Sequence, residues 1–180
     1  MSLDALVESL PAYAKDLKLN FSSLVRNQTD LTASQLWGTI VASAVAARNL
    51  ELTETVLAEA SVQAPAVVEA AKAAAAIMGM NNIYYRFTHL VGNEKYRSLP
   101  ARLRMNIMRS HGASPVDFEL WCAAASAING CAACVDAHER GLREKGATEE
   151  SVAAAVRIAA ILHAIATVLD AERVAAAASA

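Results

Sequence analysis

The chain has 180 residues, 55% of them hydrophobic, with 41 alanines but only 5% aromatics, 7 glycines and 4 prolines. That length can bury a sizeable core, and an alanine-rich, aromatic-poor composition excludes a disordered chain and favours packed helices over sheets. Sixteen basic against eighteen acidic side chains, a net charge of −2, leave no cationic surplus for phosphate binding and exclude nucleic acid as the main partner.

The opening Met1-Ser2-Leu3-Asp4 has no basic region followed by an apolar run and a small-residue cleavage site, so the sequence reads as cytoplasmic. Residues 3–10 and 11–20 show apolar spacings of three and four and predict two short helices, ended by the polar run at 26–30. Thr32 and Gln35 form a capping box ahead of a helix closed by Arg48-Asn49. Helices are expected near 51–60 and 64–78, with 80–90 able to continue the second, and Gly92-Asn93-Glu94 and Leu99-Pro100 mark a longer connection.

Ser114-Pro115-Val116-Asp117 is a strong helix start, with Ser at the N-cap and Pro in the first turn, and predicts a helix to Ile128. Asn129-Gly130 suits left-handed backbone and launches a helix over 131–145 that Gly146 stops. Thr148, followed by Glu149 and Glu150, caps a last helix to about Leu169, and the tail over 174–180 is expected to fray. The apolar stretch 153–169 contains Arg157 and His163 and reads as a buried helix, not a membrane span. With no period-2 segment bounded by turns, the fold class is all-α, one compact multi-helix domain over 1–180. Gln35-Leu36-Trp37 with Ala42-Ser43-Ala44 is echoed by Glu119-Leu120-Trp121 with Ala125-Ser126-Ala127, as if two related helical halves pack together. Functional groups occur only in the second, over about 114–170.

The chemistry concentrates in Cys131-Ala132-Ala133-Cys134-Val135-Asp136-Ala137-His138. Helical spacing puts Cys131, Cys134 and His138 on one face, and the cysteines fall in the first turn, where free amides and the positive end of the dipole stabilise a thiolate. Lowering a thiol pKa by two units takes about 2.7 kcal/mol, more than the roughly 2 kcal/mol a helix terminus supplies, so a nearby base is required. His138 fits that role, and Glu119 on the preceding helix can orient it if the Asn129-Gly130 turn folds the two helices together.

Two other readings compete. The cysteines could be small buried hydrophobes, or Cys131, Cys134, His138 and Glu119 could ligate zinc, although structural zinc cysteines usually pair with a second Cys or His segment. An odd count of three cysteines without an export signal argues against a structural disulfide framework. Cys122 reads as core filling, His89, His111 and His163 as satisfied core or surface histidines, and Met78, Met80, Met105 and Met108 as gap-fillers. Lys95, Arg97, Arg102, Arg104 and Arg109, with no acid among them up to Val116, form a solvated basic face or a dock for an acidic partner.

Glu119, Cys131, Cys134 and His138, together with Leu36-Trp37-Gly38-Thr39, Ala75-Ala76-Ile77-Met78-Gly79-Met80-Asn81-Asn82 and Leu103-Arg104-Met105-Asn106-Ile107, resemble alkyl hydroperoxidase D over most of the chain, from about Pro11 to Leu169. The wider family includes carboxymuconolactone decarboxylase-like proteins, which share the helical fold without the thiol pair. The resemblance implies an all-helical homotrimer that acts as an antioxidant thiol peroxidase on organic hydroperoxides. It makes Cys134 the peroxidatic thiol that becomes a sulfenic acid, Cys131 the proton donor that closes a disulfide with it, and His138 with Glu119 the proton relay. It implies no bound prosthetic group or metal, dihydrolipoamide on a lipoyl-bearing dehydrogenase component as reductant, and a peroxiredoxin as a further electron acceptor. A redox adaptor that chiefly passes electrons from lipoyl protein to peroxiredoxin is the alternative. Some relatives carry a histidine where this chain has Ala133; if that group contributes to proton transfer, this chain is slower toward peroxide or relies wholly on His138 and Glu119. Helix-dipole reasoning alone favours Cys131 as the more acidic thiol, whereas the resemblance selects Cys134, which has His138 one turn away. Ideal side chains three apart on a helix are about 5–6 Å apart at Cβ and a disulfide needs roughly 3.5–4.5 Å, so closing one should tighten or unwind the first turn.

Overall fold

The computed structural model describes residues 1–178, which form nine α-helices and no strand. The N-terminal segment makes α1 (Leu3–Glu8), a 3-10 turn (Ala12–Ala14), α2 (Lys15–Phe21) and a π-helical turn (Ser22–Arg26). This run goes six residues past the expected stop at residue 20. Val25 is fully buried, and Arg26 pairs with Asp4 (2.7 Å) and Glu59 (3.1 Å) while lying over the Phe21 and Trp37 rings. Those long-range contacts hold one more turn that local sequence does not specify.

The central helix is α3 (Ala33–Ala47). Its capping box forms as the sequence implies: the Thr32 side chain accepts from the Gln35 amide and the Gln35 side chain accepts from the Thr32 amide. Arg48, at φ 64°, closes α3 in the left-handed region, and Asn49 caps α4 (Leu50–Gln63) by accepting from the Leu52 amide at 2.8 Å. The fifth helix, α5 (Pro65–Leu90), runs unbroken through Gly79 for 26 residues, roughly 39 Å at the usual rise.

A connection follows, holding only the short α6 (Lys95–Ser98) and a 3-10 turn (Asn106–Arg109), neither with a buried residue. The five basic side chains of this stretch are exposed, and Arg97 pairs with Glu94 at 2.9 Å. Then come α7 (Pro115–Ile128), capped by Ser114 as read, α8 (Ala132–Glu144), and α9 (Glu149–Ala178), capped by Thr148.

The last helix corrects the sequence reading, because it continues nine residues beyond 169 instead of fraying at 174. Ser179 and Ala180 lie outside the described residues. Alanine is the best helix former, and two ties secure the extension: Tyr13 Oη donates to Glu172 (2.8 Å) and Asn49 Nδ2 to Asp170 (2.9 Å). By length and composition α9 could cross a membrane, yet it is the core that covers it. Ile158, Leu162 and Ile165 are fully buried on one face, with Arg157 and His163 outward.

Packing is organised around α3, which lies against α5, α7 and α9, while α8 rests on α7 and α5. Helices α3 and α7 meet at Gly38, where the indole of Trp121 occupies the space a side chain would need, and Trp121 Nε1 donates to the Gln35 carbonyl (3.3 Å). The lengths of α3, α4 and α5 (15, 14 and 26 residues) parallel those of α7, α8 and α9 (14, 13 and 30). The sequence echo lies on the two helices that begin these runs.

Candidate active site

Gly130, at φ 66°, makes the turn from α7 into α8, whereas Asn129 stays right-handed. A polar network secures this turn. Asn82 donates to Ser126 Oγ (2.9 Å), Asn129 Nδ2 to Asn82 Oδ1 (2.9 Å) and Arg86 to the Asn129 carbonyl (2.6 Å). Its product is the placement of Cys131, which is the N-cap of α8 in extended backbone and not, as the sequence reading had it, the first helical residue. The Cys131 carbonyl accepts from the amides of Cys134 and Val135.

Cys131 and Cys134 are joined as a disulfide, with Cα atoms 5.3 Å apart. Cys131 thus accepts the first hydrogen bonds of α8 while its own backbone is extended, and the disulfide closes across that first turn. The two sulfurs differ in surroundings: Cys131 is 0% exposed and Cys134 7%. Both sulfurs are committed to each other, and among the described residues no cluster of three acidic, His or Cys side chains is arranged to hold a metal ion. Cys122 is fully buried, and burial, helped by the charge of Glu119, pushes its thiol pKa well up, as a core-filling role requires.

His138 and Glu119 are brought together. His138 Nδ1 lies 2.8 Å from Glu119 Oε1, and a carboxylate only accepts, so the histidine donates. Gly141, one turn beyond His138, lets α8 approach: a Cβ there would sit 3.2 Å from Glu119 Oε1. Lys145, a further turn on, places Nζ 3.7 Å from Glu119 Oε2. Burial raises the Glu119 carboxyl, but the hydrogen bond and charge of His138, with Lys145 behind them, outweigh it and hold the group below its usual 4.5.

A carboxyl depressed in the fold adds stability above its ordinary value, and that contribution disappears as pH falls through the folded value. Wild type should therefore be more resistant to denaturant than Glu119→Gln at pH 6, with the gap closing as the pH is lowered toward 3. Denaturant midpoints across that range are the measurement; a gap that stays constant removes the ion pair from the account.

The other ring nitrogen, Nε2, faces Met78 Sδ at 3.2 Å, a partner sixty residues away that the gap-filler reading of Met78 missed. Met78, Asn81, Tyr85, Met108, Ala133, Cys134, Ala137 and His138 line a cavity of about 220 Å³, mostly apolar. Cys131 and Glu119 are not on its wall. Met78, Asn81, Asn82 and Tyr85 recur on one face of α5, and a polar pair on an otherwise apolar stripe is the sequence signal that could have found this wall. A second hollow, of about 450 Å³, shares Tyr85 and Ala133 with the first and is edged by Tyr84, Tyr96 and Arg97. Of the remaining histidines, His111 stacks on Phe118 and accepts from the Ala113 amide, while His89 and His163 are exposed.

Residues 94–177 match the carboxymuconolactone decarboxylase family. Over nearly the whole chain the sequence is 61% identical to a protein of Acidobacterium capsulatum named alkyl hydroperoxide reductase AhpD, covering 97% of this chain and 96% of the relative. Proteins of the same name from Solibacter usitatus (57% identical, 96% and 97% covered) and Koribacter versatilis (55%, 96% and 89%) match comparably.

Proposed function

The chain belongs to the alkyl hydroperoxide reductase AhpD family, and from that membership we propose that it reduces organic hydroperoxides to alcohols by cycling Cys131 and Cys134 between dithiol and disulfide. The observation that carries the reading is the asymmetry of the pair: Cys134 lines an apolar hollow while Cys131 is sealed behind it. Met78, Met108, Tyr85 and Ala137 suit the alkyl part of a substrate, and only Cys134 of the two cysteines can meet its peroxide group.

In the proposed cycle the Cys134 thiolate attacks the distal peroxide oxygen, forming an S–O bond as the O–O bond breaks. The departing alkoxide takes a proton from the Cys131 thiol, while the proton that left Cys134 is held on the His138–Glu119 pair. The Cys131 thiolate then displaces hydroxide from the Cys134 sulfenic acid, the hydroxide takes the proton held on the His138–Glu119 pair and leaves as water, and the disulfide results. An external dithiol, dihydrolipoamide on a lipoyl-bearing dehydrogenase component, returns the pair to thiols and is itself oxidised to its cyclic disulfide. The thiols carry both electrons, so no prosthetic group takes part. The same reading has the protein cytoplasmic and homotrimeric, an antioxidant enzyme able to hand electrons to a peroxiredoxin.

The test is a count of free thiols before and after one equivalent of tert-butyl hydroperoxide, with the alcohol quantified. Loss of two thiols per alcohol formed is the expected result. If no thiols are lost and dihydrolipoamide still reduces the disulfide, the protein is an electron carrier and not a peroxidase.

A further inference from the structure

Three buried side-chain atoms of the described residues lack a hydrogen-bond partner: Thr39 Oγ1, Ser43 Oγ and Asn81 Oδ1. Thr39 and Ser43 lie on α3, and neither lines the hollow that holds Cys134. Asn81 is different. It is only 6% exposed, and it lines that hollow together with Cys134 and His138. Its neighbour Asn82, on the same helix, spends both ends of its carboxamide in the network that holds the Asn129-Gly130 turn. A structural role is thus visible for Asn82 and not for Asn81. An unpaired carbonyl oxygen in a desolvated place works against folding, and His138, on the same wall, is already engaged by Glu119 and Met78.

The chemistry of the missing partner follows from the group itself. A carboxamide presents one acceptor and one donor side by side in a plane, whichever way its ends are assigned. A hydroperoxide presents the complement over two adjacent atoms: a terminal O–H that donates and an inner oxygen that accepts. We propose that Asn81 is the residue that binds the peroxide group, its carbonyl accepting from the terminal O–H and its amide donating to the inner oxygen, so that the distal oxygen is held toward Cys134.

The inference rests on the peroxidase reading above and adds a substrate-binding residue to it. The amide on the inner oxygen meets the negative charge that develops as the O–O bond breaks, and the carbonyl keeps hold of the hydrogen that becomes part of the sulfenic acid. Neither contact transfers an atom, so the balance of the step is unchanged. An alkyl chain then extends over Met78, Met108 and Tyr85.

The experiment compares wild type with Asn81→Ala and Asn81→Ser in three rates: thiol loss to tert-butyl hydroperoxide, alkylation of the reduced protein by iodoacetamide, and reduction of the disulfide by dihydrolipoamide. For Asn81→Ala the peroxide rate should fall about 10- to 100-fold, the loss expected from one or two hydrogen bonds in a desolvated site, while the other two rates stay near wild type. Asn81→Ser, whose hydroxyl both donates and accepts, should recover part of the loss, and it supplies the comparison should the alanine variant not fold. The thermal midpoint of Asn81→Ala should not fall, since no protein hydrogen bond to the buried oxygen is removed.

A peroxide rate equal to wild type in both variants overturns the assignment. So does an equal fall in peroxide and iodoacetamide rates, which places Asn81 behind the thiol instead of on the substrate. If wild type itself loses no thiols to hydroperoxide, the peroxidase reading fails and takes this one with it; a reactive wild type matched by an equally reactive Asn81→Ala sinks this one alone.

Discussion

Replacing Cys134 with serine should lower the rate of hydroperoxide reduction by on the order of a thousandfold or more, because a hydroxyl at neutral pH offers almost none of the nucleophile that a thiolate supplies. Cys131→Ser should behave differently. In that variant Cys134 still faces the hollow and can be oxidised once, but no second sulfur is present to complete the bond, so one equivalent of peroxide should leave a single sulfenic acid that a dimedone probe captures. Mass spectrometry of the two variants separates the roles. A dimedone adduct on Cys131 in Cys134→Ser, and none on Cys134 in Cys131→Ser, would reverse the assignment and vindicate helix-dipole reasoning, which favours the thiol nearest the terminus. The burial of the pair argues the other way: a sulfur at 0% exposure is reached by no substrate without opening the fold.

Gly38→Ala should be among the most destabilising single-atom additions available to this chain. The new Cβ would stand 2.0 Å from Cε2 and 2.2 Å from Cζ2 of Trp121. Trp121 has no room to yield, since it is 0% exposed and its Nε1 is tied to the Gln35 carbonyl. Helices α3 and α7 must then separate, and forced overpacking of this kind costs about 3 kcal/mol or more. Glu119 sits two residues before Trp121, so the displacement reaches the His138 pair as well as the core. Gly79→Ala is the matched control. A Cβ there meets nothing within 4 Å, and alanine inside α5 should instead stabilise by about 0.5–1 kcal/mol. Urea midpoints of the two variants, with unchanged slopes, check both expectations.

Local signals in the sequence carried a large part of the fold. The Thr32–Gln35 capping box, the Ser114-Pro115 start and the Ile128 end are decided by residues within four positions of one another, and all are where the sequence places them. Extents governed by distant partners were not legible: the π turn at Ser22–Arg26 depends on Asp4 and Glu59, and the last turns of α9 on Tyr13 and Asn49. The site divides in the same way. Spacing alone puts Cys134 and His138 on one helix, and a short turn makes Glu119 reachable. Met78 and Asn81 approach from α5, on the far side of the hollow, and no local periodicity distinguishes a methionine that touches His138 from one that fills a gap.

The unequal burial of the two cysteines has a consequence for traffic. A thiol arriving from solvent can attack the disulfide only at Cys134, so Cys131 is the sulfur that leaves and the mixed disulfide hangs in the same hollow that admits peroxide. Oxidant and reductant on the proposed cycle therefore use one doorway in turn. Steady-state kinetics should follow a ping-pong pattern, in which an excess of either reactant slows the entry of the other.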